Sequence, residues 1–371
     1  MTHLSPLRFA LIGCGRIAKN HVGPLGEISG ASLSAVCDLK PDRAEAVARQ
    51  AGVPAYTDYH EMLSREPIDV VSILTPSGMH PIHAIDIIER YAKHVVVEKP
   101  MALAFPDVAR MRQAADRAGV KIFPVYQNRY NRAVQRVRRD LDAGALGKPV
   151  LGTVRVRWSR GDGYYRRDPW RGTWALDGGA LTNQGIHYID LLQYLLGDVE
   201  AVHAKIATRL VDVEVEDTAV ATVTFASGAL GVIEVTTAAR PRDFEASVSV
   251  LAANGTAVLG GIASNRLDTY TFDPSAEEAC SEEFPDAYGF GHWPFYQDVV
   301  ADVRCGKPHP ISLAEGTRAI RLLNALYRSA EDGREVRLRE EAASRRLGEP
   351  NPQLQALYSG KAPNAAIRTF S

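Results

Sequence analysis

The sequence predicts an α/β protein in two halves. A doubly wound parallel sheet fills the first, and a large, open, mostly antiparallel sheet with helices forms the second. Three observations carry this reading. Short β-branched runs alternate with amphipathic segments over the first 130 residues. Apolar–polar alternation of period two dominates the chain after about residue 150. Hairpin signals, Ala226-Ser227-Gly228 and Asn254-Gly255, punctuate that second pattern.

In order, RFALIG, LSAVCD, VVSILTP, HVVVEKP and KIFPVY read as strands, and their near-continuous apolar runs suit burial on both faces. KPDRAEAVARQAG and FPDVARMRQAADRAG are helical, each closed by a glycine. NRAVQRVRRDLDAGALG is a helix leading out of the first half. LGTVRVRWSR, VEAVHAKIATRL, DTAVATVTFASGALGVIEVTTAA and SVSVLAANGTAVLGG supply the second sheet, with helical stretches near Asn183–Leu196 and Phe295–Arg328. The expected organisation is a doubly wound α/β domain over 1–130, an α+β domain over 131–340, and an irregular C-terminal arm over 341–371.

Forty-three basic residues against 44 acidic give a net charge of -1, which argues against a nucleic-acid binder. Cys14, Cys37, Cys280 and Cys305 form no C-x-x-C pair, so neither a disulfide scaffold nor a zinc site is expected. No apolar run approaches the roughly 18 residues of a membrane span, and the N-terminal stretch is too short in apolar length for a signal peptide. A cytoplasmic protein without a bound metal is expected.

RFALIG runs directly into GCGRIA, placing Gly13, Gly15 and Ala18 at the positions of a G-x-G-x-x-G/A turn. The first glycine permits the turn, the second admits a pyrophosphate, and the small third residue lets helix and strand close together. Arg16 and Ile17 complete the turn at the helix N-terminus, where free N–H groups favour phosphate. Asp38 ends the next strand, where a carboxylate holds ribose hydroxyls and repels a 2′-phosphate. NAD is therefore expected over NADP, although Lys40 and Arg43 stand close by. The ends of later strands face the same crevice, bringing Thr75, Pro76, His80, Glu98, Lys99, Gln127 and Asn128 to it. For His80 a surface helix-start role and a cofactor-side role are both open.

GCGRIA, Asp38, TPSGMH, EKPMA and a later G-x-H occur in the order found in the Gfo/Idh/MocA family, named for glucose-fructose oxidoreductase and inositol dehydrogenase. The chain resembles that family over about residues 7 to 340. The resemblance implies an oxidoreductase in which Lys99 lies beside the nicotinamide and the reacting hydroxyl, often followed by a cis proline bond. It implies His187 as the acid–base partner, at a pKa suited to that work. Asn183 stands where the family commonly has aspartate. With i, i+4 spacing from His187 it is expected to share one helix face and to orient substrate.

RVRWSRGDGYYRRDPWRGTW, residues 155–174, holds three of the four tryptophans and six arginines. Arg160, Tyr164, Tyr165, Arg171 and Trp174 suit a substrate with anionic groups and flat rings, or a subunit interface. WRGTW followed by DGGALTNQGIH looks like the branch acting on hexopyranoses and nucleotide-linked sugars, including oxidation at C3 of UDP-N-acetylglucosamine and its uronic acid. An inositol or polyol dehydrogenase and a non-catalytic NAD-binding regulator are the alternatives. The resemblance also implies a homodimer or homotetramer paired through VATVTF and GVIEVTT.

Overall fold

A computed structural model of the chain describes residues 5–360. Six strands form the first sheet: β1 (Leu7–Ile12), β2 (Ala31–Cys37), β3 (Ala55–Tyr56), β4 (Val70–Ile73), β5 (His94–Val97) and β6 (Ile122–Pro124). All pair in parallel, in the order β3-β2-β1-β4-β5-β6. β4 is buried throughout, as are Val95, Val96 and Val97 of β5, because helices cover both faces. The strand order reverses between β1 and β4, so the turns after β1, β4 and β5 open onto one crevice. Two-residue β3 was beyond sequence expectation, since it is too short to show a period.

The second sheet contains β7 (Pro149–Arg157), β8 (Val199–Ala207), β9 (Thr218–Phe225), β10 (Leu230–Thr236), β11 (Glu245–Ala252), β12 (Gly255–Gly260), β13 (Arg266–Tyr270) and β14 (Val336–Arg337). Its order is β13-β12-β11-β7-β10-β9-β8-β14. Every pairing is antiparallel except β7 with β10, so the expected mostly antiparallel sheet is present. Val154, Val156, Ile233, Val235, Val248 and Val250 point inward, where helix Ile186–Leu196 covers β7 and β11. The other face is open: Val220, Leu230 and Val232 are 48%, 57% and 40% exposed.

Two helical expectations are corrected. The stretch from Asn183 to Leu196 belongs to two helices, Ala180–Asn183 and Ile186–Leu196, separated by Gln184 and Gly185. The N–H groups of Gln184 and Gly185 both turn to the Ala180 carbonyl, which breaks the regular ladder. The stretch from Phe295 to Arg328 likewise divides into His292–Cys305 and Leu313–Asp332. Gly306 closes the first in the left-handed region (φ 66°), and Ser312 caps the second through the Glu315 N–H.

Helix His292–Cys305 returns to the first sheet. Tyr296 packs edge-on to Phe9 of β1 at 5.4 Å, and the Trp293 indole N–H donates to Glu27 at 2.8 Å. Beyond it, the short helix Pro352–Ala356 leads Leu357, Tyr358 and Gly360 back to the crevice above the first sheet. Residues 361–371 of the expected arm lie outside the described residues. Among the described residues no helix is long and apolar enough to cross a membrane.

Candidate active site

The crevice begins at the turn after β1. Gly13 sits at φ +99°, and a Cβ there would lie 2.6 Å from the Leu74 carbonyl oxygen. Only glycine fits, because β4 passes directly behind the turn. Gly15 is the opposite case: a Cβ would meet nothing within 4 Å, so its backbone faces open space. The Asp38 carboxylate accepts the Cys14 N–H at 2.7 Å and the Lys40 N–H at 2.9 Å, which fixes it at the rim. These residues line a cavity of about 630 Å3 together with Arg16, Ile17, Thr75, Pro76, His80, Glu98 and Lys99. A glycine turn with open space before it, a helix N-terminus and a carboxylate at the end of the next strand fit a dinucleotide.

His80 is buried, with Nδ1 2.8 Å from the Pro100 carbonyl and Nε2 2.8 Å from the Thr75 carbonyl. Burial pushes its pKa down, against the two carbonyls. It joins the turns after β4 and β5 while forming part of the cavity wall, so it is not a surface residue. Thr75 Oγ1 pairs with His83 Nδ1 at 3.0 Å.

β5 ends in Glu98 and Lys99, followed by a cis bond to Pro100. Glu98 is buried, and its oxygens accept the Lys99 N–H at 3.0 Å and His21 Nε2 at 3.0 Å, with His292 Nε2 at 3.5 Å. His21 Nδ1 meets Tyr296 Oη at 2.6 Å, and Ser72 Oγ meets the same oxygen at 2.8 Å. Burial drives Glu98 up, but the bonds and positive charge of the two histidines outweigh it and hold the carboxyl well below its ordinary range. Burial lowers His21 to about 4. At neutral pH this is an ionised carboxylate, and the His21 ring beside it is neutral.

Lys99 Nζ donates to the Asn183 main-chain carbonyl at 3.0 Å. Burial lowers its pKa, opposed by Glu98 and Asp177 and assisted by Arg171. Because the helix breaks after Asn183, this residue and His187 do not share a regular helical face as the spacing implied. Asn183 instead turns its side-chain amide to Asp177 Oδ1, while Asp177 Oδ2 accepts the Gly172 N–H at 2.7 Å. Burial raises Asp177 to about 6. Behind it, Glu216 Oε1 accepts the Leu181 N–H at 3.0 Å and the Tyr327 hydroxyl at 2.8 Å, and burial raises this carboxyl to about 7. A Cβ on Gly179 would overlap that carboxylate, so the second glycine of DGG is the space Glu216 occupies.

His187 is half-buried, and its pKa lies well below the usual histidine value because of burial and then the nearby Lys99 charge. It lines a second cavity of about 800 Å3, together with Arg155, Trp158, Arg160 and Phe244. Arg16, Lys99, Tyr164, Asn183 and Tyr288 line both cavities, so the chambers meet where Lys99 stands.

The arginine–aromatic segment splits. The Arg160 guanidinium lies 5.0 Å from the Trp158 ring and 5.5 Å from Tyr164, and Arg171 lies 4.4 Å from Tyr164 and 4.5 Å from Trp170. Arg171 also donates to Tyr164 Oη at 2.6 Å. Tyr165 and Trp174 line neither cavity. Tyr165 is buried beside Thr237, and Trp174 packs against Tyr327 under the Arg346 guanidinium. Gln127 and Asn128 also line neither cavity; both are buried in the turn after β6, where the chain at Gly291 presses on Gln127. Sequence reasoning missed Asp177, Glu216 and His21; the partners of Glu216 and His21 come from distant segments.

Comparison with known proteins agrees with this geometry. Residues 7–126 match the oxidoreductase family with an NAD-binding Rossmann fold, and residues 134–258 match the GFO/IDH/MocA C-terminal domain. The chain is similar to the WlbA dehydrogenase of Bordetella pertussis, solved in complex with NADH and UDP-GlcNAcA. Identity is 39%, coverage 90% of this chain and 98% of that one, and the TM-score 0.85. It is 30% identical to the D-apiose dehydrogenase of Paraburkholderia graminis, covering 91% of each. It is 29% identical to the D-glucoside 3-dehydrogenase of Escherichia coli strain K12, covering 90% of this chain and 98% of the relative. With its glycine turn, its EKP strand end and whole-length similarity to named dehydrogenases, the chain belongs to the Gfo/Idh/MocA family of NAD-binding oxidoreductases.

Proposed function

We propose that this enzyme oxidises the C3 hydroxyl of a UDP-linked N-acetylglucosamine, most favourably its uronic acid, with NAD as acceptor. The observation that carries the reading is the meeting of two chambers at Lys99. One has the features of a dinucleotide site; the other carries His187 and the Arg160–Trp158–Tyr164 stack. Guanidinium groups held on aromatic faces suit carboxylate, phosphate and a flat base together. The 39% identity to a structure containing UDP-GlcNAcA supports the nucleotide sugar, and the glucoside 3-dehydrogenase supports the carbon.

Gly13, Gly15, Arg16 and Ile17 would hold the pyrophosphate of NAD and Asp38 the adenosine ribose, while Thr75, Pro76, His80 and Glu98 would wall the same cavity. Bound in this cavity, NAD would supply the hydride acceptor for the alcohol carbon. The Lys99 ammonium donates to the hydroxyl oxygen and stabilises the charge that develops there as the proton leaves. His187 is neutral at physiological pH because its pKa is depressed, so its ring nitrogen can receive that proton. Asn183 holds Lys99 through its carbonyl and is held in turn by Asp177.

The open face bearing Val220, Leu230 and Val232 is the reading's oligomer interface, for a homodimer or homotetramer. Four free thiols fit a reducing cytoplasm, and the near-neutral charge fits a protein without nucleic-acid partners.

The test follows nicotinamide absorbance with purified protein and UDP-N-acetylglucosamine, its uronic acid, free hexoses and inositols. Reduction with the uronic acid sugar alone is expected. Reduction with an inositol and none with a nucleotide sugar would replace this reading, and no turnover on any of them would favour a regulator.

A further inference from the structure

The rim of the first cavity is tied to the segment that follows β7. Lys40 and Arg43 follow Asp38 by two and five residues and line the same 630 Å3 cavity. They are the cations nearest in sequence to the ribose carboxylate, and so the natural clamp for a 2′-phosphate. Neither is free. Asp168, from the segment that follows β7, places Oδ1 3.2 Å from Arg43 Nη2 and 3.5 Å from Lys40 Nζ. Its other oxygen, Oδ2, lies 4.0 Å from Arg171 Nε. The Asp168 side chain is 14% exposed, against 57% for Lys40 and 41% for Arg43, so the acid is fixed and the cations come to it.

We propose that Asp168 is a specificity-determining residue that secures NAD over NADP by holding Lys40 and Arg43 across the cofactor cavity. An incoming 2′-phosphate meets Asp38 and must also detach both cations from Asp168. The contacts it would break are the ones that tie the first sheet's rim to the arginine–aromatic segment. NADP therefore loses twice, through repulsion at Asp38 and through opening of the cross-chain link, whereas NAD disturbs neither. Solvent screening at the half-exposed cations keeps the second effect modest, about tenfold in relative affinity. This inference rests on the assignment of Asp38 to the adenosine ribose.

The experiment measures dissociation constants of NAD and NADP by titration calorimetry on the full chain freed of nucleotide. Asp168→Asn should narrow the preference for NAD about tenfold, through a gain in NADP binding, while Asp168→Glu should keep the native ratio. An unchanged ratio in Asp168→Asn, with a changed ratio in Asp38→Ala, would overturn the role of Asp168 and leave the ribose assignment standing. An unchanged ratio in Asp38→Ala would instead remove the ribose assignment itself. Should Asp168→Asn fail to fold, Arg43→Ala in the native chain decides. NADP binding up to about threefold tighter than native is expected, because one of the two links to Asp168 no longer has to open. A tenfold loss would mean that Arg43 reaches the phosphate despite Asp168, and would overturn the proposal.

Discussion

The Lys99 ammonium donates to the main-chain carbonyl of Asn183 across 3.0 Å, and that carbonyl is available because the helix breaks after Asn183. In a continuous helix it would face the His187 N–H. The break therefore gives Lys99 its anchor and separates the amide of Asn183 from the imidazole that follows.

Removing either proposed acid–base group should reduce turnover while sparing cofactor binding. Lys99→Ala and His187→Ala are each expected to lower kcat by about a hundredfold or more, with NAD affinity nearly intact. The native rate should fall on the acid side, below the ordinary histidine pKa, as His187 gains a proton. His187→Ala should lose that limb. Native turnover in His187→Ala, measured by nicotinamide absorbance, would make the histidine a structural residue.

Asp177 acts through Asn183. In Asp177→Asn one acceptor must serve both the Asn183 amide and the Gly172 N–H, so Lys99 loses part of its support. A fall of about tenfold in kcat is expected, with sugar KM changed less than about threefold. Steady-state kinetics showing a KM effect alone would place Asp177 in substrate binding instead.

Glu216 should give the protein a pH-dependent stability. Burial raises its folded pKa from 4.5 to about 7, so the folded state holds the proton more tightly than the unfolded chain. Stability is then greatest below about pH 4.5 for this group and falls as pH rises toward 7, by up to about 3 kcal/mol. Asp177, raised from 3.8 to about 6, works in the same direction. Urea unfolding at pH 5 and pH 8 should show a smaller difference for Glu216→Gln than for the native protein; an identical difference would remove Glu216 as a cause.

Tyr296→Phe deletes the hydroxyl shared by His21 and Ser72. Two buried polar groups lose a partner, and a destabilisation of about 1–3 kcal/mol is expected. Equilibrium unfolding within error of the native protein would show that the hydroxyl contributes little.

The outer sheet face offers a direct check on assembly. Val220→Glu together with Val232→Glu should shift the protein to a smaller species by light scattering at micromolar concentration. A native protein that is already monomeric would overturn the proposed interface.

The first sheet was legible because strands buried on both faces read as unbroken apolar runs. The second was legible because one face is solvated, which imposes alternation on strands such as β9 and β10. The break between Asn183 and Ile186 was not, since a single Gly185 within an apolar pattern is tolerated in many helices. Asp177 and Glu216 stand far apart in sequence, and only the fold buries them near each other. In the arginine–aromatic segment no periodicity tells inward from outward. Tyr164 therefore faces the cavities and Tyr165 the core, although they are adjacent and identical in kind.

The return of helix His292–Cys305 to β1 bears on how the nascent protein must mature. Phe9 and His21 emerge from the ribosome early, but Tyr296, which packs against both, is synthesised nearly 300 residues later. At cellular elongation rates the wait is roughly 15–60 s. Throughout it the face of β1 at Phe9 lacks Tyr296, and from its own synthesis onward Glu98 lacks His292. That interval is the window in which a chaperone would engage this chain, and a truncation before residue 292 would leave it permanently open.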